Sequence, residues 1–455
     1  MSLPPVATIA SVNSAFASGV VNPVSLLEMC LQRARELSHA HVFSRLTEMR
    51  ALQAAHEAAA RINMGARLGV LDGVPMSWQD LFDQTDEVTR AGSLTTAQDA
   101  PKTQDAVAVS LLEEAGAVSI GRTNLAEFGL SSLGLNPHFG TPQNVWPQLE
   151  PLAPGGACCG AAISVAAGIV PYAMAADTSG AVRISAAVNG LAGFKPTASR
   201  ISRIGLWSLS PTLDSIGALA HTVNDLCAVM KAFAIDVEKE SSRHLKVVVP
   251  EGMFSEEVGV QIQQIFEQSL LTLEKAGIEI IRKPLSSLDI LETLFKEYGS
   301  FTHFEAWQLH QNSLSQADMM DKRISQRLQA GESLPLKNFP RLLSWRVSLQ
   351  KKLFEELEGA LLLMPTTAID APPIRLLESD TAFFNTANKR IQRNTLIGSF
   401  LDLPGLTIPA GLNRNGLPAA LLLSAPAGYD ETVLFAGRIF ARLLTEDKPL
   451  NRIRF

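Results

Sequence analysis

Residues 154–196 read PGGACCGAAISVAAGIVPYAMAADTSGAVRISAAVNGLAGFKP, and this stretch decides the fold. Small residues dominate it, so backbone can approach backbone, or a ligand, with no side chain in the way. A turn at Pro154-Gly155-Gly156 leads into an apolar, helix-like run from Ala161 to Val170. A second tight segment, Asp177-Thr178-Ser179-Gly180-Ala181, leads into another small-residue helix. A glycine-rich turn feeding a helix leaves unpaired backbone N–H groups pointing into one spot. Such a spot suits a phosphate, a carboxylate or the oxyanion of an acyl-transfer intermediate.

The composition around this stretch is that of a globular chain with a large core. Of 455 residues, 46% are hydrophobic and 18% charged, too apolar for a disordered segment. Length alone allows about three domains of ~150 residues or one large α/β unit. A net charge of −6 argues against general binding to nucleic acid or to an anionic membrane. The four cysteines, Cys30, Cys158, Cys159 and Cys227, are too few for a disulfide framework, and a bridge between the adjacent pair would be strained. A reducing cytoplasm is the expected location. The N-terminus shows no basic stretch ahead of an apolar one, so no secretory signal is read. The longest apolar run, residues 161–176, is broken by Gly168 and Pro171. It reads as a buried helix followed by a buried strand, not as a membrane span. There is no CxxC pair, no HExxH and no cluster of histidines with carboxylates, so neither a metal nor another cofactor is implied.

Outward from the centre, short apolar strands alternate with helices. Residues 1 to about 65 read as helical, with Ser25 as a cap ahead of Leu26, Leu27, Cys30 and Leu31, and an alanine-rich helix over 51–62. A turn and strand follow at 71–82, a helix at 105–114, a strand from Ala117 and a helix at 221–233. A polar stretch, Glu238 to Arg243, precedes a strand that starts at Leu245. Helices at 258–275 and 301–329, a strand at 278–281, strands near 360–366, 402–411 and 416–424, and a closing helix at 432–444 complete the chain. With no internal repeat and no low-complexity linker, this predicts an α/β fold: a central mixed, mostly parallel sheet covered by helices on both faces, in one domain spanning 1–455.

Several segments share one resemblance. Gly73-Val-Pro, three residues, then Gln79-Asp80; Gly121-Arg-Thr-Asn-Leu-Ala-Glu-Phe; Asn136-Pro-His-Phe-Gly-Thr-Pro; Gly193-Phe-Lys-Pro-Thr; Pro211-Thr-Leu-Asp-Ser-Ile-Gly; and the glycine-rich centre itself resemble the amidase signature family, serine hydrolases of amides that include glutamyl-tRNA amidotransferase A subunit-like amidases. The resemblance covers almost the whole chain and is strongest from Gly73 to Gly217. It implies the amidase-signature fold, with a variable, pocket-forming portion at about 250–350.

It also implies a triad that this sequence lacks. In the family a serine attacks the carbonyl, a second serine on a cis peptide bond relays its proton, and a buried lysine is the base. A serine hydroxyl needs such a base at neutral pH, and lysine serves only if burial lowers its pKa. The lysine position is Gln79, the relay serine position Ala157 and the nucleophile position Ala181. Alanine has no proton to exchange, and a glutamine amide is no useful base. The surrounding frame survives as Gly155, Gly156, Asp177, Gly180 and Arg183, and Thr178, Ser179, Gly180 and Ala181 are the expected oxyanion or ligand donors.

The reading is therefore a pseudoenzyme of C–N hydrolase ancestry that keeps at most binding of a small amide- or carboxylate-bearing ligand, or of a partner. Neither nucleic acid nor a membrane is an expected partner; a homodimer or an amidotransferase-like partner subunit is. Two alternatives stay open. One is an active amide hydrolase whose nucleophile is Cys158 or Ser179; the other is a structural subunit of an amidotransferase-like complex. Lone His138 reads as a structural hydrogen-bonding residue rather than a base. Ser77, two residues before Gln79, shares its strand face and reads as polar lining. Lys195, ahead of Pro196, is not the missing lysine, because the resembled pattern has a lysine there as well.

Overall fold

A computed structural model describes residues 8–237, 244–252, 257–446 and 450; the polar stretch 238–243 lies outside them. Eleven strands form one sheet among the described residues: β1 (Phe43–Leu46), β2 (Pro75–Gln79), β3 (Val118–Thr123), β4 (Tyr172–Asp177), β5 (Ala192–Lys195), β6 (Ser215–Ala220), β7 (Lys246–Glu251), β8 (Glu279–Pro284), β9 (Leu361–Pro365), β10 (Gly405–Leu412) and β11 (Pro418–Ser424), in the order β1-β3-β2-β4-β6-β5-β10-β11-β9-β7-β8. Both faces are covered. Alternate strand residues point to opposite sides, and Val247, Leu361, Leu421 and Leu423 enter one apolar cluster while Val248, Leu362 and Leu422 enter another.

The α/β class and the mixed sheet agree with the sequence reading; the expected parallel majority does not. Four neighbouring pairs run parallel, β2 with β3 and β4, and β7 with β8 and β9, against six antiparallel pairs. The middle of the sheet is where the difference arises. β10 and β11 are joined by a loop too short for a crossover, which forces them antiparallel, and β5, β6 and β10 pair antiparallel beside them. Alternation of strands and helices carries no information on strand direction.

The N-terminal third departs in two further details. β1 interrupts the expected all-helical segment and pairs antiparallel with β3. The helix Pro23–Glu36 is capped by Asn22, not Ser25. Asn22 Oδ1 accepts from Ser25 N at 2.9 Å while Ser25 Oγ accepts from Asn22 N at 3.0 Å, a reciprocal capping box in which Ser25 is the third helical residue.

What positions the centre of the molecule is the parallel pair β2–β4. Parallel neighbours end on the same edge of a sheet, so Gln79 and Asp177, the last residues of β2 and β4, lie on one edge. The helix Cys159–Ala166 leads into β4, and the helix Ala181–Asn189 leaves from it. No helix of the described residues is long and apolar enough to cross a membrane.

Just beyond β6, His221 is 2% exposed, and burial pulls its pKa from 6.5 down to about 4 despite a hydrogen bond with the Val165 backbone. The unfolded chain therefore binds the proton more tightly, and stability is lost as pH falls from 6.5 towards 4. Glu127, which burial raises to about 7, acts in the opposite direction between 4.5 and 7. Comparing His221→Gln with the parent isolates the histidine: the parent is expected to lose up to about 3 kcal/mol more than the variant between pH 7 and pH 4, read from denaturant midpoints at each pH. Parallel curves for the two proteins would contradict this.

Candidate functional site

A cleft of about 500 Å³ of free space, its open mouth included, lies at the shared edge of β2 and β4. It is narrow, with about 30 Å³ wide enough for the centre of a water molecule. Gln79, Ala157 and Ala181 all line it, so three positions spread over a hundred residues meet at one place.

Each is held by its own local structure. Gln79 is 1% exposed, and its Oε1 accepts from Ala176 N at 2.8 Å. That bond fixes the amide orientation and leaves Nε2 as a buried donor with no partner among the described residues. Ala157 follows a cis peptide bond from Gly156, the geometry the resemblance implies for the relay position. Its carbonyl accepts from Ala126 N at 3.1 Å, and Gly156 N donates to Ser132 O at 2.9 Å. Position 156 has to be glycine: a Cβ there would lie 2.4 Å from Gly134 N and 2.6 Å from Ser131 O. Ala181 opens the helix Ala181–Asn189, where its N–H has no intrahelical acceptor.

Behind the cleft sits a buried ion pair. Asp177 and Arg183 are both 0% exposed. Arg183 Nε donates to Asp177 Oδ2 at 3.0 Å and Nη2 to Oδ1 at 2.8 Å. Burial alone would raise the Asp177 pKa, but the Arg183 guanidinium holds it below the ordinary value. Arg183 also donates to Thr395 O and Ser399 Oγ on the helix Thr381–Phe400. Asp177 Oδ1 accepts from Gly180 N at 2.8 Å. Gly180 is thus not one of the free donors expected from the sequence. Thr178, Ser179 and Ala181 line the cleft; Gly180 lies in the turn that presents them.

The other expected residues divide between cleft and frame. Gly156 lines the cleft, and Gly155 beside it takes φ +72° against Val188 and Ser185. Thr178 Oγ1 donates to Asp214 Oδ1 at 2.6 Å, and Ser179 Oγ lies 3.5 Å from Thr302 Oγ1. Cys158 is 0% exposed and does not line the cleft; its thiol donates to Ala181 O at 3.2 Å. Burial pushes the Cys158 thiol well above its ordinary pKa and that of Cys159 up to about 12, so neither carries a thiolate at neutral pH. Ser77 is hydrogen-bonded to Ser164 in the core at 2.8 Å and lines nothing. His138 sits away from the cleft, its backbone N donating to Asn136 Oδ1. Lys195 Nζ donates to Pro196 O at 2.8 Å, and burial lowers its pKa to about 8.

The remaining lining residues were not foreseen, among them Phe128, Trp207, Asp214, Gln392 and Arg327. Phe128 and Trp207 stack at 6.1 Å between centroids, with His310 5.3 and 5.4 Å from them. Phe128 and Asp214 fall inside segments already singled out for resemblance. Arg327 comes from the 250–350 portion, where no motif marks it.

Comparison with known proteins agrees with this fold. The Amidase family model matches residues 25–434. The chain is 30% identical over 419 residues to 2-amino-5-chloromuconic acid deaminase from Comamonas testosteroni, covering 89% of this chain and 88% of that protein. It is 27% identical over 471 residues to the A subunit of the mitochondrial glutamyl-tRNA(Gln) amidotransferase from Aedes aegypti, covering 92% and 94%. The crystal structure of an amidase superposes with a TM-score of 0.85 at 28% identity, over 96% of this chain and 99% of the other.

Neutralising one half of the buried pair leaves the other charge unpaired in the interior. Asp177→Asn is expected to cost about 3–5 kcal/mol of stability, measured as a shift in denaturant midpoint. Asp177→Asn with Arg183→Met together is expected to cost less than the sum of the single changes. Additive costs would mean the two groups are not coupled as drawn.

Proposed function

The chain belongs to the Amidase family, and from that premise we propose that it binds an amide- or carboxylate-bearing small molecule in the cleft without running the Ser–Ser–Lys hydrolysis. The observation that carries this reading is that Gln79, Ala157 and Ala181 line the same cleft and offer no hydroxyl and no amine. Without a nucleophile there is no acyl intermediate, and without a base there is nothing to take its proton. Loss of nucleophile or base in a serine hydrolase costs roughly four to six orders of magnitude in rate. The donors that remain, Gln79 Nε2 and the turn ahead of Ala181, suit a carbonyl or carboxylate oxygen.

The rescue alternatives find little support. A Cys158 nucleophile would have to leave its bond to the Ala181 carbonyl and ionise in a site that disfavours the thiolate. Among the described residues the Ser179 hydroxyl meets Thr302 Oγ1 at 3.5 Å, and a threonine is no base. A second reading is favoured by the similarity, along 92% of the chain, to a protein that is one part of an amidotransferase. In it the role is structural, within an amidotransferase-like assembly or as a homodimer. A reducing, cytoplasmic setting fits the four free cysteines.

Two measurements test the proposal. Ammonia release from a panel of primary amides is expected to stay at background for this chain. It is expected to rise by at least ~10³-fold when Gln79→Lys, Ala157→Ser and Ala181→Ser are combined, with a fluorophosphonate probe labelling only the combined variant. Turnover by the parent that survives loss of both Cys158 and Cys159 would overturn the inactive reading.

A further inference from the structure

The cleft holds a cation that no anion among the described residues balances. Arg327, on the helix Lys322–Gln329, lines the same cleft as the small-residue turns. Its side chain is half-buried, its Nε is fully buried, and that nitrogen has no hydrogen-bond partner among the described residues. The carboxylates nearby are committed elsewhere. Asp214 accepts from Thr178 Oγ1, Ser208 Oγ, Leu209 N and Ser210 N. Glu127 accepts from Ser93 Oγ and from Asp321 N. Asp321 is paired with Arg323, one turn before Arg327 on the same helix. His303, a titratable group close enough to feel Arg327, is pulled down to about 4 by burial and by this guanidinium, so it is neutral at pH 7 and adds no second positive charge. Burial brings Arg327 itself down to about 10, which leaves it charged at neutral pH.

A desolvated guanidinium without an anion is costly unless something pairs with it. The cleft contains a second uncompensated donor, the Gln79 Nε2 amide on a side chain 1% exposed. The same cleft has an apolar surface in the stacked pair Phe128 and Trp207. We propose that Arg327 is the anchor for a ligand carboxylate, so that the cleft selects compounds carrying a carboxylate at one end and a carbonyl or amide at the other, the latter meeting Gln79 Nε2. This rests on the reading of the cleft as a ligand site. It adds which charge the ligand bears and which residue reads it; the planar fork of arginine matches a carboxylate in two parallel bonds.

The test uses matched pairs that differ only in charge: succinamate against succinamide, and phthalamate against phthalamide. Dissociation constants are measured by ligand-observed NMR for the full chain, for Arg327→Gln and for Arg327→Lys. The acids are expected to bind the parent about 10- to 100-fold more tightly than the neutral diamides. Arg327→Gln should abolish that preference by weakening the acids far more than the diamides, and Arg327→Lys should restore part of it. The melting temperature of unliganded Arg327→Gln should equal or exceed that of the parent, because a desolvated charge is removed; a merely structural arginine would lower it. Equal binding of acids and diamides by the parent, unchanged in Arg327→Gln, overturns the anchor and leaves the ligand site standing. Binding of none of the four overturns the ligand site and the anchor together.

Discussion

The centre of this molecule depends on one buried ion pair. Asp177 ends a central strand, Arg183 lies in the first turns of the helix that follows, and both are fully excluded from water. An interior pair of this kind is tolerable only if its remaining donors and acceptors are also met. Here they are: Gly180 N, Thr395 O and Ser399 Oγ complete the set. The consequence is geometric. With Gly180 N–H drawn onto Asp177, the turn takes φ +124° at Gly180. Any Cβ there would fall 2.0 Å from Thr395 Oγ1, the hydroxyl that donates to Ser179 O at 2.8 Å. One pair therefore sets the strand end, the turn, the helix start and the docking of a helix from the far end of the chain.

That frame uses no side-chain oxygen at positions 157 and 181. The turn at Gly156 and Ala157 is held by backbone bonds to Ser132 and Ala126, and the turn at Thr178 by Asp214. The side chains at 157 and 181 take no part in these networks, so the scaffold does not depend on a hydroxyl at either position. Fold and reactivity are separable in this architecture because different atoms carry them.

Much of this was legible in the sequence because it is written in local chemistry. The glycine-rich turns at 155–156 and 180 announce close backbone approach, and Asp177 and Arg183 are legible as parts of the frame, whereas their pairing emerges only in the structure. The resemblance added the roles of positions 79, 157 and 181, and all three line one cleft. What could not be read is long-range. Strand direction follows from which strands become neighbours, so the antiparallel middle of the sheet left no trace in the alternation of elements. β1 is four residues of mixed burial, Phe43–Leu46, too short to interrupt a helical pattern. Arg327 is one of two arginines on an amphipathic helix, and only the fold reveals that its neighbours' charges are already spent.

Position 79 shows what the lysine-to-glutamine difference does physically. Ala176 N–H points at the end of this side chain and needs an acceptor. An ammonium group has none to offer, whereas the glutamine Oε1 satisfies it. The glutamine thus removes the cost of burying an amine and accepts a backbone bond. Its other end, Nε2, remains a donor facing the cleft. A proton acceptor in the resembled mechanism has become a fixed hydrogen-bond donor. With Arg327 also a donor only, the two buried side-chain atoms of the lining that have no partner among the described residues, Gln79 Nε2 and Arg327 Nε, are both donors.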